Sequence, residues 1–465
     1  MKITRREALR QVGATVTAAV AAPLDGAAQR PTAATRRPHV VMVIADDMRW
    51  DLMSCAGHPF IRTPNLDRLA REGARFTGAF VCMSLCSPSR ASILTGLYPH
   101  LHGVWGNRTP LDFSRLATLP QMFQRAGYRT AMFGKWHMGL DVDPKPGFDH
   151  WACFRGQGTY FNPELNVNGT LQTLEGFTDD VTTRQACDWI ASAPDHPSLT
   201  ILGYKSCHSP FDPAPRTSNL YSDVRIAKPA TFDKPAPDQP AWIQKFDDTG
   251  HTPYSRIPYD ELVLRFARLV SGIDDNVGLL LNRLESIGQL DDTVVIFTSD
   301  NGFLLHEHGL YDKRAMYEES IRVPLLVRYP RLIRQGRRVD EMTLNVDLAP
   351  TLLELIGQPG ADDMQGLSVL GALRGSRGPK RRVFFYQYDR ETPYSTPSLM
   401  GVRTDDWKLV KYQEEGQAHE LYRLSKDPHE ATNLFLNPAH AKQRAVLERE
   451  LDRLAPLAKV ARPLR

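Results

Sequence analysis

The sequence contains few cysteines, and their spacing builds neither a disulfide framework nor a zinc site. There is no Cys-x-x-Cys pair, and no cysteine has histidine partners at zinc-site spacing. This excludes a small scaffold held by disulfides, although an exported protein could still pair some of its cysteines. We expect most of them to be free, buried thiols. The six are Cys55, Cys82, Cys86, Cys153, Cys187 and Cys207.

The chain also lacks a strong charge bias and an internal repeat. Its net charge of +4 is small for 465 residues and indicates no nucleic-acid partner, although local basic patches could meet an anionic substrate. The apolar share of 42% is ordinary for a globular protein. The length suggests one large domain with a smaller one, or two to three domains.

The first thirty residues differ from the rest. Arg5 and Arg6 precede a small-residue apolar run that ends near Ala28. This is typical of a twin-arginine signal peptide over residues 1–30, with an amphipathic helix as the alternative. The run is too short and too rich in alanine and threonine to span a membrane. We therefore expect the twin-arginine translocase to export a folded protein, with no membrane span in its mature chain, to the periplasm or the medium.

Beyond the N-terminal segment, apolar runs of strand length alternate with helical patterns. HVVMVIADDMR and TVVIFTSDNG are buried-strand patterns that end in polar residues. TPNLDRLAREG predicts a helix capped by Thr63 or Asn65 and ended by Gly73, and a long helix is expected near residues 257–289. This alternation predicts an α/β sheet covered on both faces, with sites at the carboxyl ends of its strands.

Two regions interrupt the alternation. Residues 209–256 are rich in proline and polar residues, which predicts a long surface loop near the site. RGSRGPKRRV has the composition of a linker, and three strand patterns and a helix near 438–454 follow it. We therefore predict a main domain over 38–372 and a C-terminal α+β subdomain over 381–465.

Oxygen-rich side chains follow two of the predicted buried strands. Asp46 and Asp47 follow the first, and Asp300 and Asn301 follow a later one. Either pair alone is usually a solvated turn. Together, at one edge of a sheet, their carboxylate and amide oxygens suit Ca²⁺ or Mg²⁺, and nothing nearby offers the nitrogen or sulfur ligands that zinc prefers.

Basic side chains follow other strands of the same predicted sheet. GKWHMG places Lys135 and His137 on one face, YKSCHSPF contributes Lys205 and His208, and YDKRAMYEE contributes Lys313. Each alone could be a surface lysine or a capping histidine. Together with the acids they predict a pocket for a cation and an anion.

The stretch SLCSPSRASILTG raises the question of what Cys86 does. Ser87 can cap a helix and Pro88 suits its first turn, which places Cys86 at a helix N-terminus that favours negative charge. Arg90 can turn back toward it. From these residues alone, Cys86 is a core thiol, half of a disulfide or a chemical group.

These motifs together resemble the signatures of the sulfatase family. CSPSRASILTG is similar to C-x-P-S-R followed by L-T-G, and GKWHMG is similar to the second signature. ADD, TSDNG, a K…H-x-P segment, DKRAMYEESIRVPLLV and ELYRLSKDPHEATNL follow in family order, over roughly 38–436. The resemblance implies the α/β sandwich of the alkaline phosphatase superfamily. That fold has a large mixed, mostly parallel sheet between helices and a smaller C-terminal domain with a four-stranded antiparallel sheet and a helix.

The resemblance also implies a modified residue. Cys86 would be converted to formylglycine (3-oxoalanine) by a formylglycine-generating or sulfatase-maturating enzyme in the cytosol. A hydrated aldehyde carries two hydroxyls on one carbon, so that one attacks sulfur and the other then expels the sulfate. A serine would form a sulfate ester that is hard to hydrolyse, and a thiol matches a hard cation poorly.

Residue roles follow from the same resemblance. The cation, Ca²⁺ with Mg²⁺ as the alternative, lowers the pKa of the attacking hydroxyl and binds a sulfate oxygen. Its implied ligands are Asp46, Asp47, Asp300, Asn301 and formylglycine at position 86. Arg90 and Lys135 steady the formylglycine, and Lys135 and Lys313 neutralise the sulfate. His208 is the implied general acid, and His137 helps to deprotonate the hydrate.

Two features leave room for alternatives. Lys205 lies three residues before His208, whereas many sulfatases have two; on a strand that shift changes its face, so its role stays open. DVDPKPGFDHWACFRGQGTYFNPELNVNG resembles bacterial mucin-desulfating and N-acetylglucosamine-6-sulfatases and is either a sugar-binding rim or a packed loop. The candidate substrate contacts are Arg155, Gln157 and Tyr160, together with His306 and His308, which could instead be caps or core residues.

The predicted activity is that of a sulfuric ester hydrolase (EC 3.1.6.-). The expected substrate is a 6-O-sulfate on N-acetylglucosamine of a sulfated glycan, a mucin or a glycosaminoglycan. A phosphonate monoester or phosphodiester hydrolase of the same superfamily is the alternative, because the fold alone does not separate the two. An inactive binding protein is a third class, which the complete set of site residues disfavours.

Overall fold

A ten-stranded mixed sheet forms the centre of the computed structural model, which describes residues 37–232, 238–246, 256–376, 378 and 380–455. The predicted signal peptide, residues 1–30, lies outside the described residues. The strands are β1 (His39–Ala45), β2 (Ala74–Phe76), β3 (Ala79–Phe80), β4 (Arg129–Lys135), β5 (His150–Phe154), β6 (Glu164–Val167), β7 (Thr170–Thr173), β8 (Ser198–Gly203), β9 (Thr293–Ser299), β10 (Leu304–Leu305), β11 (Tyr311–Asp312), β12 (Leu325–Arg328), β13 (Arg337–Val339), β14 (Thr343–Leu344), β15 (Val383–Tyr388), β16 (Leu399–Thr404), β17 (Trp407–Tyr412) and β18 (Glu420–Arg423).

The large sheet is parallel in its middle and mixed at its ends. Its order is β13-β2-β12-β9-β1-β8-β4-β5-β6-β7. The strands from β9 to β5 are parallel, with His39 opposite Thr293 and Val40 opposite Leu199. The strands β12, β6 and β7 pair antiparallel with the strands next to them in the sheet. This confirms the predicted mixed, mostly parallel sheet. Its parallel strands bring the polar ends of β1, β4, β8 and β9 to one edge.

Helices cover both faces of this sheet. Val41 and Val43 of β1 join one core layer, and Met42 and Ile44 join the other, which is why that strand is apolar throughout. The helices α1, α5 and α7 pack together on one face, and α2, α4 and α9 pack together on the other. The helices are α1 (Pro64–Glu72), α2 (Cys86–Thr95), α3 (Pro99–His102), α4 (Leu119–Arg125), α5 (Thr178–Ala191), α6 (Ala241–Gln244), α7 (Tyr259–Ser286), α8 (Glu318–Ile321), α9 (Leu348–Leu355), α10 (Leu370–Arg374) and α11 (Ala441–Leu454).

The end signals of α1 act as predicted. Thr63 occupies the N-cap position, proline stands at the first helical position, and Gly73 follows the last residue. The other candidate cap, Asn65, lies inside the helix and donates to Asp274 of α7 at 2.9 Å. Gly73 is required by close packing, because a Cβ atom there would lie 2.2 Å from the carbonyl oxygen of Val327.

The C-terminal part forms a separate antiparallel sheet in the order β15-β16-β17-β18, followed by α11. This confirms the predicted four-stranded sheet and helix. Lys408 of β17 is fully buried and pairs with Glu318 and Glu430, which ties this sheet to α8. The described residues from Arg37 onward form one compact unit, and the division at 372 and 381 stays a prediction.

The loop over 209–256, a membrane-spanning segment and the cysteines are three further features on which the sequence gives an expectation. The described part of 209–256 contains the short helix α6 and otherwise turns and irregular backbone. In the described residues, no helix combines the length and the apolar character needed to cross a membrane. All six cysteines are free, and all except Cys55 are buried, as expected.

Candidate active site

A buried cluster of acids and one thiol lies at the carboxyl edge of the large sheet. Asp46 and Asp47 follow β1, Asp300 follows β9, and Cys86 opens α2. One ligand atom from each of the four lies within 4.8 Å of all the others. The structure thus brings together side chains that are up to 254 residues apart in sequence.

Asn301 completes this cluster and tests whether a cation fits it. Its Nδ2 atom donates to Oδ1 of Asp47 at 2.6 Å, while its buried Oδ1 atom has no hydrogen-bond partner among the described residues. An unpaired buried oxygen costs about 1–3 kcal/mol, which coordination to a cation would offset. The atoms that could bind a cation here are mostly oxygens, as Ca²⁺ and Mg²⁺ require, so the residues fit a hard divalent cation.

The N-terminus of α2 differs from the prediction in one detail. Leu85, not Ser87, occupies its N-cap position, so the prediction that Ser87 caps the helix is wrong; the helix begins two residues earlier than that cap implies, at Cys86. The Ser87 amide instead donates to Oδ1 of Asn107 at 3.1 Å, and its hydroxyl donates to the carbonyl of His137. Cys86 therefore stands at the first helical position, with Sγ 3.6 Å from Oδ1 of Asp46.

Two buried lysines flank the acids. The Nζ atom of Lys135 donates to Oδ2 of Asp46. The Nζ atom of Lys313 donates to Oδ1 of Asp47 and lies 3.4 Å from Sγ of Cys86. The two ammonium groups thus contact different carboxylates of the cluster, and the Lys313 ammonium group also lies beside Cys86.

Arg90 contacts one acid of the cluster and the main chain of Lys135. Its Nε atom donates to Oδ2 of Asp300 and one terminal nitrogen donates to the carbonyl of Lys135, both at 2.8 Å. Gly203 makes room for it, because a Cβ atom there would lie 2.8 Å from the guanidinium and 2.3 Å from the Lys135 carbonyl. The other terminal nitrogen of Arg90 is buried without a hydrogen-bond partner among the described residues, and the support of the formylglycine by Arg90 stays a prediction.

The charges of the cluster shift its carboxyl groups in opposite directions. Burial alone would raise the pKa of Asp46, but Lys135 and further cations hold it well below its usual range. Burial and the neighbouring acids outweigh Lys313 at Asp47, and its pKa rises to about 7. A divalent cation would favour the ionised form of each carboxyl group.

Two histidines face the same region. Nε2 of His208 lies 3.9 Å from Oδ2 of Asp47. The side-chain amide of Gln157 donates to Nε2 of His137 at 3.5 Å, which leaves the proton on Nδ1 of that ring. Burial lowers the pKa of both histidines, and Lys135 adds to the shift. A sulfate between the lysines would offset that positive charge.

The candidate substrate contacts fall into different environments. Gln157 is half-buried and accepts a hydrogen bond from Lys135 at 2.6 Å. Arg155 is exposed and donates to the carbonyl of Leu140 at 3.4 Å. Tyr160 is buried, with its ring stacked on Phe177. Among the hydrogen bonds described, Gln157 and Tyr160 contact residues of the site, since the Tyr160 hydroxyl donates to the carbonyl of His208, whereas Arg155 does not.

The two histidines that follow β9 pack among aromatic rings. The ring of His306 contacts Tyr311, with centroids 3.8 Å apart. His308 stacks on Tyr317 at 3.9 Å and its Nδ1 atom lies 2.9 Å from Nε2 of Gln239. These contacts match the core role weighed for them, and a substrate contact from either stays a prediction.

The contacts of two residues in the surroundings, Asn107 and Lys205, are not indicated by the sequence. Asn107 lies in a loop motif, Gly-Asn-Arg-Thr-Pro, and nothing in its local pattern points to Ser87. Lys205, whose role the sequence leaves open, donates to the carbonyls of Gln157 and Ser209 at 3.0 Å each. Both contacts depend on long-range packing, which local patterns do not carry.

Comparison with known proteins agrees with this geometry. The family described as "Sulfatase" matches residues 38–358, and the family "N-sulphoglucosamine sulphohydrolase, C-terminal" matches residues 306–456. An N-acetylglucosamine-6-O-sulfatase of Bacteroides thetaiotaomicron is 32% identical, over 90% of this chain and 86% of its own.

Solved structures give the same fold. A protein in complex with its substrate, D-glucosamine-2-N,6-O-disulfate, has a TM-score of 0.85 and 31% identity, over 92% of this chain and 99% of that one. A phosphonate monoester hydrolase of Agrobacterium radiobacter has a TM-score of 0.76 and 23% identity, over 91% and 96% of the two chains, and shows the fold alone. With the family match over most of the chain and this buried acidic cluster, the protein belongs to the sulfatase family and is a sulfuric ester hydrolase.

Proposed function

We propose that the chain removes the 6-O-sulfate of N-acetylglucosamine in a sulfated glycan. The bacterial relative at 32% identity is named for that activity, and the structural neighbour at 31% identity binds a 6-O-sulfated glucosamine. The observation that carries the proposal is the position of Cys86. It stands beside three carboxylates and Lys313 in one buried cluster, as a site for an anionic ester needs.

The proposed nucleophile is formylglycine made from Cys86. Burial raises the pKa of the Cys86 thiol, so the unmodified residue would be a poor nucleophile. When matured, the hydrated aldehyde supplies one hydroxyl to attack sulfur and a second that lets the sulfate leave. The maturation enzyme would act in the cytosol, before export.

The proposed cation site consists of Asp46, Asp47, Asp300 and Asn301, with residue 86. Its support is the unpaired Oδ1 atom of Asn301 and the oxygen-rich donor set. We propose Ca²⁺, with Mg²⁺ as the alternative. When bound, the cation would supply Lewis-acid stabilisation of the sulfate and of the attacking hydroxyl.

The protein's own side chains then divide the remaining work. Lys135 and Lys313 would hold the sulfate oxygens and oppose the charge that develops there. His208 would protonate the leaving alcohol, and His137 would take a proton from the hydrate. The position of Nε2 of His208, 3.9 Å from Oδ2 of Asp47, supports a role close to the reacting atoms. Arg90 would hold Asp300 and Lys135 in place.

The proposed destination is the periplasm or the medium. The twin-arginine pair Arg5-Arg6 supports it. The sulfated glycan would be met there. Fusion of residues 1–30 to a reporter that folds only in the cytosol would test the route, and export without the translocase would contradict it.

The competing activity is phosphonate monoester hydrolysis, which the fold does not exclude. The decisive experiment compares kcat/KM on N-acetylglucosamine 6-sulfate and on an aryl phosphonate monoester, with protein from a host that matures sulfatases. We expect the sulfate to be preferred. A phosphonate preference of orders of magnitude would overturn the proposal. Mass spectrometry of the Cys86 peptide should show a loss of about 18 Da, and an unmodified cysteine in active protein would contradict the nucleophile.

A further inference from the structure

Lys205 is a fully buried lysine that faces main-chain carbonyls rather than the acidic cluster. Its Nζ atom donates to the carbonyl oxygens of Gln157 and Ser209, at 3.0 Å each, and lies 4.6 Å from the centre of the Tyr160 ring. An ammonium group has three N–H donors, and two carbonyls and one aromatic face occupy them. Lys205 is therefore already committed and is not a third sulfate lysine.

One of these carbonyls also orients His208. The Nδ1 atom of His208 lies 3.1 Å from the carbonyl oxygen of Ser209, the same oxygen that Lys205 holds. A carbonyl only accepts hydrogen bonds, so this contact favours a proton on Nδ1, which also lies 3.3 Å from the Ser209 hydroxyl, and Nε2 is the atom that points to Asp47. Fixing this carbonyl fixes the direction of the imidazole ring.

Tyr160 supports the same turn from the other side. Its hydroxyl donates to the carbonyl of His208, and its ring lies under the Lys205 ammonium. Tyr160 is 2% exposed, so its hydrogen bond to the His208 carbonyl lies in the protein interior. The main-chain carbonyls of His208 and Ser209 are thus both held, one by Tyr160 and the other by Lys205.

The second carbonyl connects this turn to the loop of Gln157. That residue's side chain accepts from Lys135 at 2.6 Å and donates to His137 at 3.5 Å. Lys205 therefore joins the backbone beside the proposed general acid to the backbone of a residue that touches two other site residues.

We infer that Lys205 is a positioning residue for the sulfatase reaction: it fixes the carbonyl that orients His208 and links that turn to the loop of Gln157. The inference rests on the proposed function, since it assumes that His208 protonates the leaving alcohol. It also accounts for the spacing of three residues between Lys205 and His208. Lys205 and His208 lie in the turn that follows β8, where the His208 amide donates to the Lys205 carbonyl at 2.9 Å, so the spacing does not place them on opposite faces of a strand.

Leaving-group dependence separates positioning of the acid from a general loss of structure. A sugar alcohol needs a proton as it leaves, whereas 4-nitrophenolate leaves without one. We expect Lys205→Met to lower kcat/KM on N-acetylglucosamine 6-sulfate by about 10²-fold, and on 4-nitrophenyl sulfate by less than about tenfold. Lys205→Arg, which keeps the donors, should recover part of the loss on the sugar sulfate.

The matched control is Lys408→Met, because Lys408 is equally buried but pairs with acids of the C-terminal sheet. It should lower the thermal midpoint without changing the ratio of the two rates. Tyr160→Phe, which removes only the hydrogen bond to His208, should shift the ratio in the same direction as Lys205→Met by a smaller factor. If Lys205→Met does not fold, the ratio of the two rates in Tyr160→Phe tests the inference by itself.

Parallel losses on the two sulfates in Lys205→Met, or an unchanged ratio in Tyr160→Phe, would overturn the inference. Wild-type protein that hydrolyses neither sulfate would instead contradict the proposed function. The two failures are distinguishable because the wild-type rates are measured first and the ratio is taken only afterwards.

Discussion

The Nζ atom of Lys313 lies 3.4 Å from Sγ of Cys86 and donates to Oδ1 of Asp47. Burial alone would lower the pKa of Lys313, but Asp47 and neighbouring groups raise it well above its ordinary value. The Lys313 ammonium group therefore stays charged near neutral pH. This gives the cluster a permanent cation directly beside the proposed nucleophile.

Replacing this lysine should remove catalysis more than stability. We expect Lys313→Met to lower kcat on a sulfate ester by about 10²–10³-fold, as loss of one preorganised group at developing charge does. The control is Lys411→Met, a half-buried lysine of the C-terminal sheet whose Nζ atom is 3.5 Å from Glu448; it should retain full activity. A rate within threefold of wild type for Lys313→Met would show that this ammonium does not act on the sulfate.

Cys86 and Cys153 are both fully buried thiols, so they form a matched pair. Cys86→Ala should abolish turnover while leaving the fold intact, because the residue acts as a precursor of the nucleophile. Cys153→Ala should keep its turnover and lose about 1 kcal/mol of stability, as a typical buried truncation does. Loss of folding in Cys86→Ala, measured by circular dichroism, would favour the core-thiol interpretation instead.

Removal of divalent cations should destabilise the protein and stop its activity. Three buried carboxyl groups and the unpaired oxygen of Asn301 would gain a partner when a cation binds. Re-adding cation at a hundredfold excess over its Kd should restore about 2.7 kcal/mol of unfolding free energy. Thermal scans after chelation, with Ca²⁺ and Mg²⁺ added back separately, would identify the preferred ion. Asn301→Ala should reduce the shift, and no shift with either ion would contradict the cation site.

Glu319 predicts a pH-dependent stability. Burial, reinforced by Glu307, raises its pKa from an ordinary 4.5 to about 8 in the folded protein. Between these values the folded state holds a proton that the unfolded state has lost. Stability is therefore full below about pH 4.5 and falls as the pH rises toward 8, by at most roughly 1.4 kcal/mol per pH unit.

Glu319→Gln isolates this contribution, because an amide resembles the protonated carboxyl group. Thermal midpoints of the variant and of wild type should converge at pH 5, and the variant should be the more stable at pH 8. Parallel curves from pH 5 to 8 would show that Glu319 is ionised throughout.

Local patterns predicted much of the fold because they reflect local physics. The apolar run of β1 is buried on both faces, and α1 begins after Thr63 and stops at Gly73, as its sequence indicates. The cap of α2 was assigned wrongly, to Ser87, because the side chain that meets the Ser87 amide comes from Asn107, twenty residues away. Capping by a distant residue leaves no trace in the local pattern.

The sequence by itself determined the chemical inventory: oxygen-rich strand ends, the Cys86 motif, the lysines and histidines, and the order of strands and helices. Periodicity and residue chemistry are local properties, so they do not depend on tertiary contacts. Only the tertiary structure decided which groups meet. It placed Lys313 against Cys86, left Oδ1 of Asn301 unpaired, and turned Lys205 toward two carbonyls instead of the acids. These relationships arise because parallel strands bring distant segments to one edge, where packing, not sequence spacing, sets the distances between side chains.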